Sequence, residues 1–178
     1  WPYFAFAAGV YMCFRLKRKD YVLLVAPAYC FHQFEEHGID FMGHHYSFRA
    51  FLCHALPLET CPADSVFIFV VNCVAVNLAA FTAWHYRARP AVAACSWGIP
   101  FVNIFGHVVP ALKYHAYNPG LVTALVLFLP GSIYVISKVV KELPASLRLR
   151  FLTAVVLAGG LVHFVIIATV MSATLPYP

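Results

Sequence analysis

Imidazole and carboxylate side chains, which transfer protons and bind metal ions, are concentrated in one short segment of this chain. The segment HQFEEHGIDFMGHH, residues 32–45, contains four of the nine histidines and three of the seven carboxylates. Five of these groups have spacings that place them on one face of a helix: His32, Glu35, Glu36, Asp40 and His44. The pattern predicts a site for metal binding or proton transfer on that face.

Two other segments carry polar groups that can meet this face. In NIFGH, Asn103 and His107 are four residues apart and therefore lie on one side of a helix. His163 stands within the apolar run LAGGLVHFVIIA. With a rise of about 1.5 Å per residue from the basic end of each helix, these three side chains and His32 fall at roughly 17–26 Å. We therefore expect them in one layer of a helix bundle.

The elements that position these groups are predicted to be membrane-spanning helices. Hydrophobic residues make up 62% of the chain, charged residues only 11%, and the mean hydropathy is +0.78. These values are far from those of a soluble domain, and apolar stretches of about 20 residues can cross a bilayer. We therefore predict an all-α, multi-pass membrane protein with a single domain over 1–178 and six helices, at about 1–14, 21–42, 65–86, 91–115, 119–138 and 147–174.

Basic residues are distributed unequally between alternate connections, which predicts orientation because Lys and Arg are retained in the cytoplasm. One set of connections holds ten of them: Arg15, Lys17, Arg18, Lys19, Arg87, Arg89, Lys138, Lys141, Arg148 and Arg150. The other set holds Arg49 and Lys113. The basic connections are expected to be cytoplasmic and the site to open toward the non-cytoplasmic side, where Cys53 and Cys61 can pair. Since no basic stripe with interleaved aromatics is present, nucleic-acid binding is not expected.

The motifs also resemble those of a known family. HQFEE in the second predicted helix, NIFGH in the fourth and YNPGLVTA at the start of the fifth resemble the HXXEE domain family of small integral membrane proteins, which is named for its HxxEE motif and carries a second motif, NxxxH. The resemblance implies that His32, Glu35 and Glu36 fill the first motif and that Asn103 and His107 fill the second. It implies a shared site without implying a particular reaction.

A divalent transition metal, namely iron, zinc or manganese, is one interpretation of this site, because these metals take imidazole and carboxylate ligands. The candidate ligands are His32, Glu35, Glu36, Asp40, His44, His107 and His163. Di-iron bundles use Glu-x-x-His units. His32 and Glu35 have that spacing in reverse and a second unit is missing, so a mononuclear centre or another dinuclear one is expected. If such a metal is bound, we expect hydrolytic or oxidative chemistry on a lipid or isoprenoid-like substrate that enters from the surrounding membrane lipids.

Other interpretations need no such metal. His32, Glu35, Glu36, Asn103 and His107 are the candidate catalytic residues, and an acid–base pair among them suits isomerisation or cyclisation of an olefinic lipid. Chains of acidic residues and histidine also mark proton pathways in transporters, although no inverted repeat is evident in the sequence. A polar network that fixes helix register, or heme held by His107 and His163, completes the alternatives.

Overall fold

The computed structural model describes residues 1–55 and 65–172, which form an all-α bundle. Its seven helices are α1 (Pro2–Arg15), α2 (Val25–His37), α3 (Ser47–Ala55), α4 (Ser65–His85), α5 (Pro90–Tyr114), α6 (Leu121–Glu142) and α7 (Ala145–Ser172). A 3₁₀ segment, Arg18–Leu24, precedes α2. Helix α5 contains a 3₁₀ turn at Ala94–Trp97, and α6 contains a π-helical turn at Ala124–Phe128. Cys53 is disulfide-bonded, and its predicted partner, Cys61, lies outside the described residues.

The prediction of six membrane helices is wrong. Within residues 1–55 and 65–172, four helices are long and apolar enough to cross a membrane: Val66–His85, Pro90–Tyr114, Leu121–Glu142 and Ala145–Thr169. Helix α1 has 14 residues, which gives a length of about 21 Å, whereas the hydrocarbon core is about 30 Å thick. The helix predicted at about 21–42 is divided into shorter pieces.

The division of that segment explains why its polar face is shorter than the sequence suggested. Helix α2 ends at His37, and Gly38 follows with φ −101° and ψ −96° outside the helical region. The Asp40 carboxylate then organises the connection to α3 by accepting hydrogen bonds from the backbone N–H groups of Met42 and His44, both at 2.9 Å. Asp40 and His44 therefore do not continue the helical face of His32 and Glu36.

Two glycines bring α5 and α7 into direct contact. A Cβ atom added at Gly98 would collide with the backbone carbonyl of Val155, and one added at Gly159 would collide with the carbonyl of Gly98. Of the adjacent glycines Gly159 and Gly160, only Gly159 makes this approach, since an added Cβ at Gly160 meets no atom within 4 Å. This crossing fixes α5, which carries His107, against the long helix α7.

Contacts of Trp97 and Tyr21 connect the segment before α2 with α5 and α6. Trp97 is buried and donates a hydrogen bond from Nε1 to the backbone oxygen of Val22, at 2.9 Å. The Lys138 ammonium lies 3.9 Å from the centre of the Tyr21 ring. The connection between α1 and α2 and the second half of α6 therefore share one end of the bundle, which we call the basic end. The His/Glu site lies toward the other end.

Candidate metal centre

Three buried side chains from the HxxEE and NxxxH motifs converge on one point between α2 and α5. Nε2 of His32 and Nε2 of His107 each lie 3.4 Å from Oε1 of Glu36. One nitrogen from each histidine and one oxygen from Glu36 all lie within 4.8 Å of one another, and the three residues are at most 3% exposed. Two motifs that are about 70 residues apart in the sequence thus form a single group, which we call the His–Glu–His group.

The protonation of His32 follows from its neighbours. Thr123 donates its hydroxyl proton to the Glu35 carboxylate. The hydroxyl has only this one proton, so it accepts a hydrogen bond at its 2.7 Å contact with Nδ1 of His32. Nδ1 of His32 therefore carries the proton, and Nε2 presents a lone pair toward Glu36. Nε2 has no hydrogen-bond partner within the described ranges.

Glu35 is the anchor of this arrangement. Its carboxylate accepts four hydrogen bonds: from the Tyr117 hydroxyl at 2.8 Å, from the backbone N–H groups of Val122 and Thr123 at 3.1 and 2.7 Å, and from the Thr123 hydroxyl. The two N–H groups belong to the first turn of α6, where a carboxylate is favoured by the free donors and by the helix dipole. Glu35, predicted as a ligand and a catalytic group, thus binds α6 and orients His32 through Thr123.

Tyr117 is held as a donor to Glu35. Its hydroxyl also accepts a hydrogen bond from the backbone N–H of Phe41, at 3.1 Å. Burial raises the pKa of Tyr117, and the hydrogen bond to the Glu35 carboxylate raises it further, so the hydroxyl stays protonated. The connection between α5 and α6 is therefore tied to α2 at Tyr117, and the first turn of α6 is tied to α2 at Thr123.

Asn118 determines the protonation of His107 in the same way. The Asn118 amide donates a hydrogen bond to the backbone oxygen of His107 at 2.9 Å, which orients the amide. The amide oxygen then faces Nδ1 of His107 at 2.8 Å. Because this oxygen can only accept, Nδ1 carries the proton and Nε2 presents its lone pair to Glu36. Both histidines thus direct an unprotonated Nε2 at the same carboxylate oxygen.

The two distances from Glu36 to the histidines fit a metal ion. A charge-assisted hydrogen bond between imidazolium and carboxylate is about 2.7–2.9 Å long, which is shorter than the 3.4 Å observed for both pairs. Two atoms that bind zinc at about 2.1 Å with tetrahedral geometry lie about 3.4 Å apart. Histidines that bind metals donate their other ring N–H to a protein acceptor, as both do here. The donor set and its supporting shell therefore suit a divalent transition metal.

Gly120 is a site residue that the sequence analysis did not single out. It has φ +93°, and a Cβ atom added there would lie 2.5 Å from Cε1 of His107, 2.9 Å from Cε1 of His32 and 3.0 Å from Cγ of Glu36. Only glycine fits this position without strain, because it has no side chain and tolerates positive φ. The signal was present in YNPGLVTA, whose Tyr, Asn, Gly and Thr all support the site, although this segment was used only for the family resemblance.

A third imidazole lies on the other side of Glu36. Nε2 of His37 is 3.4 Å from Oε2 of Glu36. The Asn72 amide donates to this nitrogen at 3.0 Å and accepts from Gln33 at 2.8 Å. Because its Nε2 is already an acceptor for Asn72, we do not count His37 among the candidate ligands. It lies beside the second oxygen of Glu36 without donating a hydrogen bond to it, a position that the sequence did not indicate.

The other predicted site residues lie outside the His–Glu–His group. Although partial burial opposes the change, hydrogen bonds from Ser47 and from the backbone lower the pKa of Asp40 below its ordinary 3.8, which fits its structural role in the connection. His44 is exposed and contacts Asp40 at 3.3 Å. His163 faces the same cavity as the group but uses Nδ1 to bind the carbonyl of Gly159, at 2.8 Å. Asn103 also lines that cavity, and its buried Oδ1 has no partner among the described residues.

The cavity has a volume of about 260 Å³ and is mostly apolar. Phe48, Phe51 and Leu52 face it from α3, and their spacing of three and one residues places them on one side of that helix. Helices α4 and α7 supply further aliphatic walls, including Val71 and Ile167. Ligand sites combine such apolar walls with a few convergent polar groups. The His–Glu–His group is the polar part of a cavity that suits a lipophilic molecule.

Comparison with known proteins gives one finding. The family model described as "Protein of unknown function with HXXEE motif" matches residues 23–135, which is more than half of the 178 residues. The matched range includes every residue of the His–Glu–His group and the YNPG segment. No curated protein and no solved structure matches the chain.

Proposed function

The chain belongs to the HXXEE family, and we propose that it is an integral membrane enzyme whose family motifs hold a divalent transition metal that serves chemistry on a lipophilic substrate. One observation carries this proposal. Two unprotonated Nε2 atoms each lie 3.4 Å from the same carboxylate oxygen, in a buried site beside an apolar cavity. Hydrolytic or oxidative chemistry is the reaction class that we favour.

Two imidazoles and one carboxylate are the protein ligands of catalytic zinc in several hydrolases and of non-heme iron in oxygenases. A metal held by these ligands leaves further positions open and supplies Lewis acidity or an activated water when bound. The three ligands would be His32, Glu36 and His107, whose burial excludes bulk water from the ligand side. Manganese fits the donor types less well, because it prefers a larger share of oxygen ligands.

The remaining residues of the site have supporting roles in this proposal. Glu35 and Asn118 fix the two histidines in the tautomer that exposes Nε2, and Gly120 leaves the space that the three ligands occupy. Asn103 and His163 supply polar groups on the cavity wall, where they can bind the polar part of a substrate. Each ligand is thereby set in place before a substrate arrives, which is the preorganisation that catalysis requires.

The position of the cavity supports a substrate drawn from the bilayer. Helices α4 and α7 form two of its walls, and both are long enough to cross a membrane. Their outward faces are apolar and exposed, for example at Val74 on α4 and Phe164 on α7. A lipophilic molecule in the hydrocarbon layer would therefore lie against the helices that form the cavity wall.

An acid–base isomerase or cyclase is the second candidate, favoured by the way Glu36 lies between three imidazoles. In that case Glu36 would exchange a proton with His32 or His107, and the substrate would keep its elemental composition. The spacing of 3.4 Å favours the metal over this candidate, because direct proton transfer between these groups needs a shorter contact.

Untargeted mass spectrometry of lipids tests the proposal. Membranes containing the wild-type protein, Glu36→Gln or the control Lys113→Gln are incubated with a total lipid extract, with and without a metal chelator. We expect either oxygenated products or pairs of fragments whose combined composition is that of the precursor plus one water. These products should be formed by the wild type and the control and be absent from Glu36→Gln and from chelated samples.

Two outcomes would contradict the metal assignment. Products of unchanged mass that resist the chelator would transfer the assignment to the isomerase or cyclase. An active Glu36→Gln variant would remove Glu36 from the mechanism and with it the shared basis of both candidates.

A further inference from the structure

The basic end of the bundle contains a second concave site, separate from the His–Glu–His group. A cleft of about 580 Å³ lies between the connection of α1 to α2 and helix α6. Three cationic side chains line it: Lys17, Arg18 and Lys138. No carboxylate is among its lining residues, and within the described part of the chain none of the three cations forms an ion pair. We propose that this cleft binds the phosphate headgroup of an anionic lipid.

Lys138 is held in place for such a ligand. Its ammonium lies 3.9 Å from the centre of the Tyr21 ring and 5.8 Å from that of Tyr134. Cation–π contacts of this kind hold the side chain without neutralising it, so the full charge remains for an anion. Lys138 is half-buried, whereas Lys17 and Arg18 are exposed at the rim. The cleft therefore has one positioned cation at its wall and two exposed cations at its rim.

A hydroxyl group without a partner adds a hydrogen-bond donor. Tyr21 is 8% exposed and lines the cleft, and its buried hydroxyl has no hydrogen-bond partner among the described residues. A buried hydroxyl that lacks a partner costs free energy unless a ligand or water completes it. Burial, and then the charge of Glu142, raise the pKa of Tyr21, so this group remains a donor. A phosphate oxygen would complete both Tyr21 and Lys138.

The apolar residues of the cleft favour a lipid over free phosphate. Leu16, Leu24 and Cys13 line it beside the cations, so the same ligand would meet charge and hydrocarbon together. A phospholipid has this composition, and basic pockets at the ends of membrane helices bind anionic headgroups. Glu142 opposes the anion, because its charge acts on Tyr21 from outside the cleft lining. Removing the Glu142 charge should therefore strengthen binding of the anion, which is the opposite of the effect of removing a cation from the cleft.

Native mass spectrometry of the detergent-solubilised chain measures the binding. Phosphatidylglycerol or phosphatidylcholine is titrated against the wild type, Lys138→Gln, the double variant Lys17→Gln/Arg18→Gln and Glu142→Gln. Lys113→Gln is the control that removes one charge at the opposite end. We expect binding of phosphatidylglycerol to weaken about five-fold for each cleft cation removed, to be unchanged in Lys113→Gln, and to tighten in Glu142→Gln.

Two results would overturn the proposal. One is equal binding of the two lipids, and the other is an equal loss of phosphatidylglycerol binding in Lys113→Gln and Lys138→Gln. Inorganic phosphate that displaces phosphatidylglycerol at equal concentration would overturn the assignment to a lipid, whereas failure to displace it supports a lipid. Metal content of the same variants is expected to equal that of the wild type, so a failure here leaves the proposed metal centre untouched.

Discussion

Substituting Gly120 with alanine is the perturbation whose consequence the structure defines most sharply. The added Cβ would lie 2.5 Å from Cε1 of His107 and 2.9 Å from Cε1 of His32, both far inside van der Waals contact. Neither ring can move freely, because Asn118 holds the first and Thr123 holds the second. The substitution therefore displaces at least one ligand of the candidate metal.

The magnitude has two parts that a control separates. Alanine at φ +93° costs about 1–2 kcal/mol in backbone strain, and the collision with the ligands adds about 1–3 kcal/mol of overpacking. Gly43 has a similar φ of +84°, but an added Cβ there meets no atom within 4 Å. Gly43→Ala therefore carries the backbone strain without the collision.

The assay compares thermal unfolding and metal content of both variants in detergent. Since 1 kcal/mol corresponds to about 2–4 °C in a chain of this length, Gly43→Ala should lower Tm by about 2–8 °C and retain its metal. Gly120→Ala should lower Tm by about 2–12 °C beyond the control. Its metal affinity should fall by about 10-fold to 100-fold or more, since a loss of about 10-fold to 100-fold is typical when the groups that orient metal ligands are disturbed. Equal Tm values and equal metal content in the two variants would refute the geometry that we assign to the site.

Three further changes test other parts of the structure. Asn118→Ala removes the acceptor that fixes the tautomer of His107, so zinc affinity measured by isothermal titration calorimetry should fall about 10-fold to 100-fold without loss of the fold; an unchanged affinity would contradict the assigned tautomer. Gly159→Ala should destabilise the crossing of α5 and α7 by about 1–3 kcal/mol, whereas Gly160→Ala, with no atom near its Cβ, should be neutral or stabilising; equal effects on Tm would count against the crossing. The pKa of Asp40 is lowered below 3.8 in the folded chain, so the contribution of this carboxylate to stability is present above pH 3.8 and is lost as pH falls through the folded value. Asp40→Asn should therefore remove that part of the acid dependence of Tm. An unaltered pH profile would show that the carboxylate does not hold the connection.

Much of the ligand set was accessible from the sequence because it depends on local periodicity. His32 and Glu36 are four residues apart on one helix, and the structure places their ligand atoms side by side. The helical rise per residue also predicted His107 in the same layer, where the structure has it. It placed His163 there too, and this residue faces the cavity without joining the His–Glu–His group. Periodicity thus identifies which residues share a helix face, but it does not determine which of their side chains come into contact.

The parts that the sequence did not predict depend on breaks in periodicity and on contacts between distant segments. Helix α2 stops at Gly38, so Asp40 and His44 leave the predicted face and the second membrane helix is lost. The support given to Glu35 comes from Tyr117 and Thr123, more than 80 residues away in the chain. Contacts between segments so far apart leave no periodic pattern in the sequence. They form only because the first turn of α6 packs against α2 in the folded chain.

Metal stoichiometry is the most direct test of the central claim that His32, Glu36 and His107 hold one divalent transition metal. Inductively coupled plasma mass spectrometry is applied to protein purified in detergent without a metal-affinity column, for the wild type, His107→Ala and His163→Ala. The two variants remove the same side chain from the same cavity, one inside and one outside the His–Glu–His group. Near-stoichiometric zinc, iron or manganese in the wild type and in His163→Ala, with loss in His107→Ala, is the predicted result; a folded wild type without metal, or equal loss in both variants, would contradict the claim.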